Sequence, residues 1–195
     1  MSAIILGEVS IPPPGPAPSR LCPFQIFALA AAVLALLVSM TFALGTTGLL
    51  GPDEPRYAFI GRHMAESGDF LTPRLWTDPP ADAALLPWFE KPPLLYWLVA
   101  AGFRAGLPPA LAPRLPVALL SFAFLALFWH VLRRLEGAAT ATAAALLLAT
   151  SAGWFAFSLI AVTDLPLAAT FNASLLCGLW RLTGGPRWLA GAGGA

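Results

Sequence analysis

The sequence predicts an all-α membrane protein with about four transmembrane helices and a long outer loop that carries interfacial helices. Of its 195 residues, 58% are hydrophobic and only 11% are charged, whereas soluble domains carry roughly 25% charged residues. The charges are also clustered, since 13 of the 21 Asp, Glu, Lys and Arg residues lie between Asp53 and Arg114. A formal net charge of +1 predicts no nucleic-acid partner.

Four apolar runs approach or reach the roughly 20 residues that a helix needs to cross a bilayer. They cover residues 24–44, 116–132, 138–159 and 165–182. The first run is longer than a signal-peptide core, so it is predicted to be an uncleaved anchor behind a disordered, proline-rich tail over residues 1–22. The membrane domain is predicted over residues 23–183, and a glycine-rich tail over residues 184–195.

The basic residues at the ends of the apolar runs predict the orientation. Arg20 precedes the first run, Arg133 and Arg134 follow the second, and Arg181 and Arg187 follow the fourth. The positive-inside rule places these three sites in the cytoplasm. The loop after the first span and the turn before the fourth are then predicted to lie outside.

The outer loop, residues 45–115, is predicted to contain two short helices. The first runs from Asp53, as its N-cap, to about Ser67, and ends at Gly68-Asp69. Its apolar residues Tyr57, Ile60 and Met64 share one face, as in a helix that lies at the membrane surface.

An extended, proline-punctuated stretch from Leu71 to Pro87 is predicted to follow, and then a second helix over Leu94–Phe103. This second helix is too short for a comfortable span, so it is predicted to lie at the surface or to insert halfway. The alternative is a fifth span there, which would invert the orientation of every later segment.

Asp53 and Glu54 form a carboxylate pair just outside a span, where a charge is costly unless it is used or paired. A carboxylate there can act as a general base toward an acceptor hydroxyl or amine. The alternative is structural: a helix cap together with a salt bridge to Arg56.

Glu90 and Lys91 form a second candidate pair, set between Trp88-Phe89 and Pro92-Pro93. Lys91 is a compact cation, and Arg56, Arg62 and Arg74 are further cations in the same loop that suit a phosphate group. The alternative for Glu90 and Lys91 is an ordinary exposed ion pair.

Asp164 lies between the third and fourth apolar runs, and the predicted topology brings it to the same side as Asp53. It is either a third functional carboxylate or the N-cap of the following helix, with Pro166 in the first turn. Other polar residues receive structural or solvated roles: His63 as a solvated surface residue, and His130 in a hydrogen bond near a span end. The alanine-rich run Ala138 to Ala145 predicts close helix packing.

Taken together, several motifs resemble the N-terminal part of the aminoarabinose transferase and protein mannosyltransferase superfamily, which consists of GT-C class membrane glycosyltransferases. The motifs are Asp53-Glu54-Pro55-Arg56-Tyr57-Ala58, Met64 to Arg74, Phe89-Glu90-Lys91-Pro92-Pro93-Leu94-Leu95-Tyr96-Trp97, and Thr163-Asp164-Leu165-Pro166. The resemblance covers residues 24–182 and implies transfer of a sugar from a polyprenyl-phosphate donor to a lipid or protein acceptor, as in lipid A modification or protein mannosylation.

The resemblance also implies roles for single residues. Asp53 matches the acidic residue that activates or orients the acceptor, and Asp164 matches a second carboxylate near it. Lys91, assisted by Arg56, matches the contact to the donor's phosphate, and Glu90 matches a residue that can help hold a divalent metal ion. Glu54 and Tyr57 are further site residues of the first motif.

It further implies a multi-pass protein of the cell inner membrane, among membrane lipids, with its active face periplasmic or extracellular. Two departures qualify the match. The stretch Trp76 to Leu86, which contains Asp78 and Asp82, is longer than the usual link, and the chain stops at Ala195 although family members are several hundred residues long. We therefore expect a module that needs a C-terminal partner chain and is inactive alone. The rival hypotheses are a non-catalytic membrane subunit, a transporter-like fragment that binds lipid phosphates, or an inactive remnant.

Overall fold

The computed structural model describes residues 22–24, 26–27, 31, 34, 47–76 and 85–183. Most of the first predicted span, both predicted tails, and the stretch with Asp78 and Asp82 therefore lie outside the described residues. Helices dominate the described part, which confirms the predicted all-α character. The helices are α1 (Asp53–Ser67), α2 (Leu94–Arg104), α3 (Arg114–Glu136), α4 (Ala138–Thr150), α5 (Ala152–Ser158) and α6 (Asp164–Leu182), and two short strands are β1 (Arg74–Trp76) and β2 (Leu85–Pro87).

The two predicted N-caps are wrong by one residue. Pro52 caps α1 and Thr163 caps α6, in both cases without a side-chain hydrogen bond, so Asp53 and Asp164 are the first residues inside their helices. Their carboxylates still favour these positions because the N-terminal end of a helix dipole is positive. The predicted end of α1 is confirmed: Gly68 adopts φ 77° and donates its N–H to the Met64 carbonyl.

The apolar face of α1 packs on α2, and the position of α1 at the membrane surface stays a prediction. Ile60 and Met64 are fully buried, with Tyr96 and Val99 of α2 in the same core. A Cβ at Gly61 would overlap the Val99 side chain, so glycine is required for the two helices to approach this closely. The Leu94–Phe103 prediction for α2 is confirmed to within one residue.

The extended stretch after α1 folds back as a small antiparallel hairpin, which the sequence did not predict. Arg74 pairs with Pro87, and Trp76 pairs with Leu85. The Trp88 N–H donates to the Pro73 carbonyl at 2.7 Å, which continues the pairing by one residue. The hairpin thereby leads the chain from α1 to the Glu90-Lys91 segment.

Among the described helices, α3 alone is long and apolar enough to cross a membrane by itself. The third predicted span is broken: α4 and α5 meet at Ser151 at an angle of 65°, and together they count as a second candidate span. Ser151 is extended (ψ 136°), which interrupts the helix. The four-span topology therefore stays a prediction.

Helices α3 and α6 run in the same direction. The ring of His130, near the end of α3, lies 5.1 Å from that of Trp180, near the end of α6. The predicted packing through small residues is also present, because Ala138, Ala141 and Ala145 of α4 are buried. One end of the bundle therefore collects the starts of α3 and α6, and the opposite end collects Arg133, Arg134 and Arg181.

Candidate active site

A buried ion pair lies where α1, α3 and the turn before α6 meet. The Arg114 guanidinium donates from Nε to Glu54 Oε1 and from Nη2 to Glu54 Oε2, both at 2.7 Å. The exposed fractions of the two side chains are 1% and 0%. This two-bond geometry is the strongest arrangement available to an arginine and a carboxylate.

The same pair holds two further backbone segments, the loop before α1 and the turn before α6. Glu54 accepts the N–H of Leu50 at 2.6 Å and that of Ala161 at 2.9 Å, and Arg114 donates to the Thr47 and Gly48 carbonyls at 3.0 and 2.8 Å. Burial by itself raises the pKa of Glu54. The hydrogen bonds from Arg114, Leu50 and Ala161 outweigh burial and hold the pKa below the ordinary 4.5.

The structure therefore separates the two neighbours of the predicted carboxylate pair. Glu54 is fully engaged inside the protein. Asp53 is exposed and lies 3.5 Å from Arg56, which is the salt bridge of the structural alternative. Because both of these side chains are about half exposed, their mutual attraction is weak, and a ligand can compete for either.

Tyr57 lies among carboxylates from three separate segments. Burial raises its pKa first, and the negative charges of Asp53 and Asp164 raise it further. A hydrogen bond with the Thr163 side chain acts in the opposite direction, and the charge of Glu90 adds to the rise. Asp53, Glu90 and Asp164 are thus all near enough to Tyr57 for their charges to act on its pKa.

Tyr96 lies beneath this region, with its ring centroid 5.9 Å from that of Tyr57. Its side chain is fully buried, and its hydroxyl has no hydrogen-bond partner among the described residues. Burial, with smaller contributions from Tyr57 and Glu90, raises the pKa of Tyr96 to about 12. Both phenols are therefore held neutral close to the carboxylates.

Lys91 and Asp164 line one groove of about 230 Å³, which we name the Lys91–Asp164 groove. Its remaining lining residues are Pro92, Leu94, Leu95, Thr163, Pro166, Leu167 and Thr170. An exposed ammonium and an exposed carboxylate thus both contribute to an otherwise mainly apolar lining. Such a groove suits an amphiphile with an anionic head and an apolar chain.

Asp164 also borders a second groove, of about 210 Å³, on the other side of the start of α6. This groove is lined by Trp154 and Phe157 of α5 together with Leu165 and Ala168 of α6. The break between α4 and α5 turns α5 so that two of its three aromatic side chains, Trp154 and Phe157, reach the start of α6. Asp164 is therefore accessible from two directions.

The residues around Glu90 do not build a complete metal site. Within the ranges that the structure describes, no three His, Cys, Asp or Glu side chains are grouped closely enough to hold a metal ion. The ring of His63 stacks on Phe59, with the ring centroids 6.3 Å apart. A metal ion at Glu90 would need ligands from outside the described residues.

Arg114 is the residue that sequence reasoning missed. It appeared only as the last charge of the outer-loop cluster, one residue after Pro113 and at the start of an apolar run. A lone cation at the end of an apolar helix is a signal for a buried partner. The partner's identity, however, depends on a contact over 60 positions of sequence.

These features define an apolar, mostly helical protein with a polar site at one end of its helices. Residues 90–195, just over half of the chain, match the family described as dolichyl-phosphate-mannose-protein mannosyltransferase. The chain belongs to this family, within the superfamily that also contains the aminoarabinose transferases, and corresponds to an N-terminal region.

Two curated relatives illustrate the similarity. The undecaprenyl phosphate-alpha-4-amino-4-deoxy-L-arabinose arabinosyl transferase of Pseudomonas savastanoi pv. phaseolicola is 41% identical over 68 residues, which are 35% of this chain and 11% of that protein. The enzyme of the same name from Edwardsiella ictaluri is 32% identical over 130 residues, 66% of this chain and 22% of that protein. The chain therefore spans at most about a quarter of the length of these relatives.

The solved structures of ArnT from Cupriavidus metallidurans have the same fold in this region. The apo structure matches with a TM-score of 0.65 and 32% identity, over 80% of this chain and 28% of that one. The structure bound to undecaprenyl phosphate matches with a TM-score of 0.65 and 30% identity, over 78% and 27%. The likeness thus extends over most of this chain and a minority of the neighbour.

Proposed function

We propose that this chain is the N-terminal module of a membrane glycosyltransferase that moves a sugar from a polyprenyl-phosphate donor to a lipid or protein acceptor. The observation that carries the proposal is the Lys91–Asp164 groove, whose mainly apolar lining includes an exposed ammonium and a carboxylate. The structural neighbour bound to undecaprenyl phosphate supports a polyprenyl phosphate as the ligand.

In the proposed reaction, Lys91 holds the donor's phosphate and Arg56 assists. When the bond between the sugar carbon and the phosphate oxygen breaks, the phosphate leaves with the electron pair and gains negative charge. A fixed cation at that oxygen lowers the barrier. Lys91 is exposed and forms no salt bridge with a described carboxylate, so it is available for this role.

Asp53 is proposed to take the proton from the acceptor's hydroxyl or amine as that group bonds to the sugar carbon. General-base assistance of this kind contributes roughly 10²–10⁴-fold to a rate. Asp164 is proposed as the second carboxylate, and Tyr57, between Asp53 and Asp164, positions both. Glu54 is assigned a structural role because its lone pairs are already occupied.

The active end is proposed to face the periplasm of a multi-pass inner-membrane protein. The support is the separation of charges along the bundle: the carboxylates and Lys91 lie at one end, and Arg133, Arg134 and Arg181 at the other. Basic residues favour the cytoplasmic side. The names of the relatives favour aminoarabinose as the sugar. Lipid A modification, which the family resemblance implies, is proposed as the outcome. A divalent metal at Glu90 is proposed with ligands from elsewhere.

The test separates donor binding from chemistry. Binding of undecaprenyl phosphate to the purified chain is measured by native mass spectrometry, and transfer is measured in a chimera in which residues 47–183 replace the matching part of a full-length relative. Lys91→Ala is expected to weaken binding about tenfold or more and to lower transfer. Asp53→Asn is expected to keep binding within about twofold and to lower transfer at least about 100-fold.

Arg62→Ala is the matched control. Arg62 lies on the same helix as Asp53 but is paired with Glu66 on an exposed face at 2.7 Å, away from the groove. This variant is expected to bind the lipid and support transfer as the parent does. Normal binding by Lys91→Ala would refute the phosphate role, and full transfer by Asp53→Asn would refute the proton role.

A further inference from the structure

The end of the bundle opposite the candidate active site carries a second group of cations, here named the inner-end cluster. It consists of Trp129, His130, Arg133 and Arg134 of α3 and Trp180 and Arg181 of α6. The nearest carboxylate in sequence is Glu136, and no described carboxylate forms a salt bridge with any of the three arginines. The cluster therefore has a net positive charge that the described protein does not neutralise.

Arg133 is the best-placed member of the inner-end cluster. Its guanidinium carbon lies 5.0 Å from the centre of the Trp129 ring, which fixes the side chain by a cation–π contact. Its Nε atom is buried and has no hydrogen-bond partner among the residues that the structure describes. The Trp129 indole is fixed in turn, because its Nε1 donates to Thr142 Oγ1 of α4 at 3.2 Å.

The depth of the cluster suits a lipid headgroup. Arg114 and Arg133 are separated by 19 positions of one helix, which corresponds to about 28 Å at 1.5 Å per residue. The hydrocarbon core of a bilayer is about 30 Å thick. If the Arg114 end lies at one headgroup layer, the Arg133 end lies at the other.

We propose that the inner-end cluster binds the phosphate of an anionic phospholipid, between the ends of α3, α4 and α6. A planar guanidinium recognises a phosphate by two parallel hydrogen bonds, and the cation–π contact with Trp129 holds the guanidinium of Arg133 in place. Basic pockets between helices on the cytoplasmic side are suited to such headgroups. A helix dipole accounts for exposed cations such as Arg134 and Arg181, but not for the stacking of Arg133 on Trp129. The proposal requires membrane insertion and is independent of sugar transfer.

The test uses the full chain in vesicles of phosphatidylcholine alone and of phosphatidylcholine mixed with phosphatidylglycerol, followed by native mass spectrometry of the retained lipid. The parent is expected to retain phosphatidylglycerol in preference to phosphatidylcholine. Arg133→Gln is expected to reduce this preference about fivefold, which is the contribution expected from one cation near the surface. Arg181→Gln, on an exposed residue, is expected to reduce it by a smaller factor.

Arg62→Gln, at the other end of the molecule, is the control and should retain the parent's preference. A folded Arg133→Gln with unchanged retention would overturn the proposal. Equal retention of both lipids by the parent would overturn it as well. So would displacement of the bound lipid by millimolar inorganic phosphate, since that would show a site for free phosphate instead of a lipid. If Arg133→Gln does not fold, Arg181→Gln is the deciding variant. A reduced preference for phosphatidylglycerol would support the proposal, and an unchanged preference would overturn it.

Discussion

Asp53 and Glu54 are neighbours in the chain, yet the fold gives them opposite surroundings. Glu54 is fully buried and bound twice by Arg114, whereas Asp53 is 55% exposed and lies 3.5 Å from a partly exposed Arg56. A buried pair with every lone pair occupied has no capacity left for a substrate. An exposed, weakly held pair can exchange its partner for a ligand. The difference indicates that Glu54 and Arg114 serve the structure, and that Asp53 and Arg56 are available for chemistry.

The largest expected difference between the two ion pairs is the loss of stability when the arginine of each pair is replaced by alanine. Arg114→Ala leaves the Glu54 carboxylate buried without its counter-ion, which costs about 3–5 kcal/mol, and it also removes the donors to the Thr47 and Gly48 carbonyls. Arg56→Ala breaks an exposed pair, which costs less than about 1 kcal/mol. The measurement is the free energy of unfolding in detergent, from denaturant titrations of the two variants and the parent.

Arg114→Lys refines this contrast because it keeps the charge and removes the planar fork. One ammonium cannot reproduce both 2.7 Å bonds to Glu54 and the bonds to the loop before α1. We expect the free energy of unfolding of Arg114→Lys to fall by an amount between the losses of Arg56→Ala and Arg114→Ala. Equal losses for Arg56→Ala and Arg114→Ala would show that the buried pair is not the stronger of the two.

A second expected difference is in how the stability of the protein changes at acidic pH. The pKa of Glu54 is lower in the folded protein than the ordinary 4.5. The unfolded chain therefore takes up the proton first, and the stabilisation by Glu54 is complete above about pH 4.5 and declines as the pH falls through the folded value. Glu54→Gln should be less stable at neutral pH and should lose less further stability over this acid range. The check is a series of unfolding curves from neutral to acidic pH, in which parallel declines for parent and variant would contradict the prediction.

The sequence predicted the fold where the signal is local. Gly68, which needs a positive φ, marks the end of α1, and the prolines before Leu94 mark the start of α2. The break at Ser151 was missed because residues on both sides of it are equally apolar. The hairpin after α1 was missed because its pairing joins residues 9 to 13 positions apart across a stretch of ambiguous pattern.

The candidate site was predictable only in part for the same reason. Charged residues in a mostly apolar chain identified Asp53, Lys91 and Asp164 as the residues to place together. Neighbourhood in sequence, however, suggested that Asp53 and Glu54 act as one pair. Which of two adjacent carboxylates becomes buried depends on the partner that the tertiary fold supplies, and Arg114 lies 60 positions away from Glu54.

The smallest expected effect is a change in tyrosine ionisation, and it tests whether the exposed Asp53 carboxylate lies near Tyr57. Tyr57 and Tyr96 are the two tyrosines of the chain, and in both the pKa is raised above 10.0, chiefly by burial. The folded protein should therefore show little tyrosinate absorbance at pH 10, whereas the unfolded chain should show about half of its full absorbance. The neutral phenols favour the folded state below pH 10, and this contribution is lost as the pH rises toward about 12.

Asp53→Asn removes the largest charge effect on Tyr57, so one of the two phenols should ionise at lower pH in this variant while Tyr96 is nearly unchanged. Glu66→Gln, which changes an exposed carboxylate of α1 that is paired with Arg62, is the matched control and should titrate as the parent does. Identical curves for Asp53→Asn and Glu66→Gln would mean that Asp53 does not face Tyr57. In that case Asp53 would not lie with the other carboxylates near Tyr57. The Asp53–Arg56 pair and the Glu54–Arg114 pair would then differ in burial alone.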